Sequence, residues 1–151
     1  MVSASPFNAE EAHDSPGFLL WQVTSLWQRR ISAVLRPHDL TQVQFALLAS
    51  ILWLAQRESA ISQVALARHA KLDVMMTSQV LRTLEGRGLI TREVHPEDPR
   101  AKALSLTRSG IALAWLAIPA VEQADREFFA ALGKRQSPFM DDLRRLINAT
   151  A

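Results

Sequence analysis

ISQVALARHAKLDVMMTSQVLRTLEGRGLITREVHPEDPRAKALSLT, residues 61–107, is the stretch on which the fold turns. Ser62 and Asp73 each stand where a helix N-cap belongs, and they predict two short helices over about 63–70 and 74–86 with a tight joint between them. Gly86 and Gly88 stop the second helix. Leu89 to Val94 and Ala103 to Leu106 are rich in β-formers. His95-Pro96-Glu97-Asp98-Pro99-Arg100-Ala101 lies between them, a polar turn with two prolines, which predicts a hairpin with a long charged tip. Helix, short turn, helix and hairpin together make a helix-turn-helix followed by a wing.

The second helix has two faces. Thr77, Val80, Leu81 and Leu84 recur at i, i+3, i+4 and i+7 and form the inward stripe. Val74, Met75, Ser78, Gln79 and Arg82 fall on the other side. That set suits a DNA major groove. Glutamine can bridge adenine N6 and N7, arginine can bridge guanine or reach a phosphate, and methionine or valine can meet a thymine methyl. The expected DNA contacts are Ser62, Met75, Met76, Ser78, Gln79, Arg82, Arg100 and Lys102. A surface helix alone would more often be a solvated face. The tight turn and the hairpin beside it favour DNA.

Working outward, Ser15-Pro16 reads as N-cap and N1 of a first helix that Pro37 ends. Thr41-Gln42-Val43-Gln44 is a capping box for a second helix, about 41–57. That helix is apolar on most faces and is expected to be buried and central. Thr107 caps a long helix of about 108–132, which Pro119 should kink. Ser137-Pro138, with Asp141 and Asp142 in the first turn, should open a last helix to about Asn148. The expected architecture is mainly α, six helices with a small β-hairpin wing, in one domain over 1–151. Leu19, Val23, Trp27, Leu143, Leu146 and Ile147 give the terminal helices apolar faces that a lone chain of this size would struggle to cover. A homodimer is therefore expected, joined through 15–57 and 108–150, with 58–107 as the DNA-binding lobe.

Composition narrows the classes. The 151 residues carry a net charge of only +2, with 48% hydrophobic and 21% charged residues, which is ordinary globular material. Residues 61–110 hold eight basic side chains against five acidic, so the positive charge gathers around the motif. No cysteine is present, which excludes disulfides, thiolate metal sites and thiol switches. The four histidines, His13, His38, His69 and His95, are scattered, and there is no phosphate loop or nucleophile motif. Glu10-Glu11-Ala12-His13-Asp14 could offer metal ligands, but a polar terminus is the simpler reading. No enzyme, cofactor or metal is expected. Met1 to Gly17 lacks an apolar signal region. The run Phe45 to Ala55 is too short to span a membrane, so the expected location is the cytoplasm.

Ile61-Ser62-Gln63, Leu66-Ala67, Leu72-Asp73, Leu84-Glu85-Gly86-Arg87-Gly88-Leu89-Ile90, Asp98-Pro99-Arg100-Ala101-Lys102 and Leu104-Ser105-Leu106-Thr107 resemble, in order and spacing, the MarR family of bacterial transcription regulators. The resemblance covers about residues 15–150. It implies a dimeric regulator, expected to be a repressor, that reads a palindromic operator. Helix 74–86 would enter the major groove and the 95–101 wing the minor groove through Arg100, with Asp98 helping to hold the wing. The recognition helix departs from the family pattern. Gln79 stands where arginine is common, and Met75-Met76 stand where small hydroxyl residues are frequent, so the usual half-site is in doubt.

The resemblance also implies a small aromatic or anionic effector, with Trp21, Trp27, His38, Phe45 and Trp53 as candidate walls, although large aromatics at helical spacing are more often core. The competing class is a winged helix used only for protein–protein contact. It would predict a neutral or acidic wing, whereas Arg100 and Lys102 are basic.

Overall fold

The computed structural model describes residues 5–8 and 10–150. Among the described residues, six α-helices follow the expected order, with three short strands where two were expected: α1 Pro16–Leu35, α2 Gln42–Ala55, β1 Ile61–Ser62, α3 Gln63–Ala70, α4 Val74–Gly86, β2 Ile90–Val94, β3 Lys102–Leu106, α5 Arg108–Phe129 and α6 Gln136–Thr150. Three 3-10 turns, Ala12–Asp14, Arg36–His38 and Ala130–Arg135, join or precede them. Among the described residues no helix is long and apolar enough to cross a membrane.

The helix starts lie where their side chains can satisfy free backbone donors. Ser15 accepts from the Phe18 N–H at 3.2 Å, Ser62 from Ala65 at 3.1 Å and Asp73 from Met76 at 3.0 Å. Thr41 and Gln44 close the reciprocal capping box of α2 at 3.2 and 3.0 Å. Lys71 takes the left-handed conformation (φ 56°) that ends α3 and makes the joint to α4 tight.

The core forms where α2 meets α1, α3, α4, α5 and the sheet. Leu47, Leu48 and Ile51 pack there with Ile31 and Leu35 of α1, Leu66 of α3, Leu81 and Leu84 of α4 and Ala117 and Val121 of α5. Each leucine so buried contributes on the order of 1.5–3 kcal/mol. Residues 61–106 are thereby seated on the same core as the long helices.

Four expectations need correction. The wing is not a lone hairpin: β1 adds a third antiparallel strand, in the order β1-β3-β2, pairing Ile61 with Leu104 and Ser62 with Ala103. A two-residue strand carries no periodicity of its own and exists only through its partner. Although central, α2 is not buried all round, because Trp53 is 53% exposed. Its all-apolar composition covers one more face than this chain encloses. The long helix ends at Phe129 rather than near 132, and Gly133 (φ 53°) turns the chain within the 3-10 segment that follows. Finally, α6 begins at Gln136, so Pro138 sits inside its first turn and Asp141 and Asp142 lie beyond it. Proline has no N–H to lose, and at either register position 138 lies in the first turn, where a backbone N–H would have no intrahelical acceptor, so its presence does not choose between them.

Candidate nucleic-acid interface

Asp73 starts α4 directly after the tight joint and so fixes which of its faces turns inward. Thr77, Leu81 and Leu84 are fully buried and Val80 is half-buried. The Thr77 hydroxyl donates to the Asp73 carbonyl at 2.8 Å, which lets a polar side chain sit in the core without an unmet partner. Because α4 is helical, this stripe leaves Val74, Met75, Met76, Gln79 and Arg82 on the outside, with Ser78 at the margin. Met75 is 75% exposed. The side chains of Gln79 and Arg82 make no hydrogen bond or ion pair with any described residue.

Local polar contacts shape the wing tip. Asp98 Oδ1 accepts from the Arg100 N–H at 3.0 Å, and the Asp98 carbonyl accepts from Ala101 at 3.0 Å. His95 Nδ1 accepts from Glu97 at 3.2 Å, and the His95 N–H closes the loop on the Ala101 carbonyl at 3.1 Å. Arg100 is thus held by its backbone at the hairpin tip while its guanidinium meets no described partner. Lys102 is exposed at the start of β3, opposite Val94. Ser62 is placed differently from the other candidates. It is half-buried, and its hydroxyl is engaged as the α3 cap.

Two ties on α4 escaped the sequence reading. Arg92 of β2 grips Glu85 through Nε at 3.3 Å and Nη2 at 3.1 Å, linking the end of α4 to the wing. The Arg92 hydrogen bond, aided by the charges of Arg92 and Lys102, holds the Glu85 carboxyl below its ordinary pKa, against a smaller desolvation effect. Just beyond α4, Arg87 reaches Asp39 at 3.6 Å and Gln44 at 3.3 Å. The partners stand 7, 48 and 43 positions apart, and no local pattern joins them. At the base of the wing, Gly88 (φ 73°) turns the chain, and its carbonyl accepts from the Thr107 hydroxyl at 2.6 Å. Gly110 then lets α5 press against the Leu89 carbonyl, which a Cβ at that position would overlap.

The candidate effector walls have different surroundings within the single chain. Trp21 is exposed and borders a shallow surface hollow of about 290 Å³ with Phe18, Gln22 and Arg29. Trp27 is half-buried and its indole N–H donates to Asp125 at 2.8 Å. Trp53 lies under the Arg57 guanidinium, 3.7 Å from the ring centroid. Phe45 and His38 are half-buried.

The chain is similar to known proteins along most of its length. Residues 40–102 match the MarR family model. The HTH-type transcriptional regulator YdcH of Bacillus subtilis is 43% identical over 133 residues, covering 88% of this chain and 90% of the relative. An HTH-type transcriptional repressor of Mycobacterium tuberculosis is 31% identical over 137 residues, 90% of this chain and 94% of the relative. The crystal structure of a mutant MarR from E. coli complexed with operator DNA is similar over 95% of this chain and 99% of that one, with a TM-score of 0.79 and 25% identity.

Proposed function

This chain belongs to the MarR family of winged-helix transcription regulators, a family of non-enzymatic DNA-binding proteins, and from that premise we propose that it is a cytoplasmic, homodimeric repressor that reads a palindromic operator. The carrying observation is the outer face of α4, where Met75, Gln79 and Arg82 are exposed and the side chains of Gln79 and Arg82 meet no partner among the described residues. A side chain with hydrogen-bonding capacity left unspent beside apolar thioethers suits the mixed polar and methyl surface of a major groove. Arg100 supports the same reading. A cation held at a hairpin tip by its backbone alone can enter a narrow minor groove and meet its negative potential. Ser62, Ser78 and Lys102 are assigned to the flanking phosphates and Met76 to the groove wall. Two copies joined through 15–57 and 108–150 would set two α4 helices roughly 34–36 Å apart, one turn of DNA.

A small aromatic or anionic effector would act by favouring a dimer with wrongly spaced recognition helices. Its walls would be Trp21, Trp27, His38, Phe45 and Trp53 once the second copy closes the cleft. Selection of duplexes from a random library by the purified protein tests the reading. Enrichment of an inverted repeat, bound with a steep salt dependence, is expected. Recovery of no common sequence would overturn sequence-specific recognition.

A further inference from the structure

With no cysteine in the chain, its four methionines are the only sulfur available to oxidants, and two of them are adjacent on the recognition helix. Met75 and Met76 are 75% and 41% exposed, the second and third residues of α4; Met75 lies opposite the buried Thr77, Leu81 and Leu84, and Met76 at the flank of that stripe. Met140, on α6, is similarly open at 42% but lies on a different helix from the proposed reading face. We infer that Met75 and Met76 form an oxidation site through which a two-electron oxidant of the hypohalous acid or peroxide class releases the protein from DNA. This role rests on α4 facing DNA, as proposed above.

The chemistry needs nothing further from the protein. The thioether sulfur of Met75 attacks the electrophilic chlorine of hypochlorous acid, the O–Cl bond breaks and hydroxide leaves. Water then adds to the chlorosulfonium sulfur, an S–O bond forms, the S–Cl bond breaks, chloride leaves and the two protons of that water pass to hydroxide and solvent. Sulfur loses two electrons and chlorine gains them. With hydrogen peroxide the departing group is water. The product, methionine sulfoxide, turns an apolar side chain into a strong hydrogen-bond acceptor. In a groove flanked by phosphates, that oxygen meets other acceptors and a thymine methyl, and it must shed water without gaining a donor. The free protein leaves both residues exposed to solvent, whereas bound DNA would cover them. Oxidation and DNA binding therefore compete for the same atoms.

The full chain would be treated with a few equivalents of hypochlorite, with and without its selected duplex. Sulfoxide at each methionine would be read by peptide mass, and duplex affinity before and after. DNA should shield Met75 and Met76 while leaving the oxidation of Met140 unchanged. Conversion of Met75 and Met76 should weaken binding by about tenfold or more, the scale of one lost base contact. Methionine sulfoxide reductases acting on both epimers should restore it, which tryptophan oxidation would not allow. Whatever its starting affinity, the M75L/M76L variant should bind equally well before and after oxidant. The Met140→Leu variant should lose binding as the parent does. A protein that binds no duplex before treatment overturns the DNA reading itself. One that binds normally and keeps its affinity with both methionines converted, or an M75L/M76L variant that still releases DNA, overturns the oxidation site alone.

Discussion

The lobe of residues 61–106 and the terminal helices use similar apolar content in opposite ways. In the lobe the apolar stripe of α4 is closed by α2 and α3, and Leu66, Leu81, Leu84, Ile90 and Leu104 are buried within one chain. The terminal helices leave theirs open. Leu20, Trp21 and Leu26 on α1, Trp115 and Leu116 on α5, and Leu146 and Ile147 on α6 are all exposed, and among the described residues α6 has no buried side chain. This helix meets the turn before it, and Phe139 lies tilted against Phe129 with ring centroids 6.1 Å apart. A monomer that spends leucine and tryptophan in this way gains nothing from them. The lobe closes its apolar stripe in one copy, whereas the flanks leave apolar faces that the second copy of the proposed dimer would cover.

The largest break in that contrast should come from α6. L146D/I147D should leave the lobe folded by circular dichroism yet shift the protein to monomer in sedimentation. Operator affinity should fall on the order of 10²–10⁴-fold, because each half-site is then bound alone. A dimer that survives both charges would remove the flanks from the interface. Leu81→Ala strikes the closed region instead. It empties a fully buried site and should cost about 2–5 kcal/mol in denaturant unfolding.

Smaller changes separate the two parts of the lobe that reach outward. Gln79→Ala should cost roughly 1–3 kcal/mol on the selected duplex and little on a scrambled one. Arg100→Ala should weaken both and lower the salt slope by about one unit. An unchanged selected-to-scrambled ratio for Gln79→Ala would move base reading to Ser78 or Arg82.

The smallest effect concerns the link between α4 and the wing. The Glu85 carboxyl is held below its ordinary range chiefly by the Arg92 hydrogen bond. Its contribution is therefore present above the unfolded carboxylate pKa and lost as pH falls through the lower folded value. Unfolding midpoints of the parent should drop on acidification slightly more than those of Glu85→Gln, and parallel profiles would assign the tie no role.

Much of this was legible in the residues because it is local. Ser15, Thr41, Ser62, Asp73 and Thr107 cap within three positions of themselves, so the starts of α1 to α5 are written beside their own caps, whereas α6 has no such cap among the described residues and its start differs from the one expected. The inward stripe of α4 follows from helical spacing alone. What the tertiary structure decided is what depends on partners distant in the chain. Ile61 becomes a strand only by meeting Leu104, and Glu85 and Arg87 acquire Arg92, Asp39 and Gln44 only after α4 has packed on α2 and the wing has folded back. Trp53 shows the same limit from the other side. Its apolar neighbours predicted burial, but burial is a property of what surrounds a helix, and α2 has core on one face and Arg57 over the exposed indole on another.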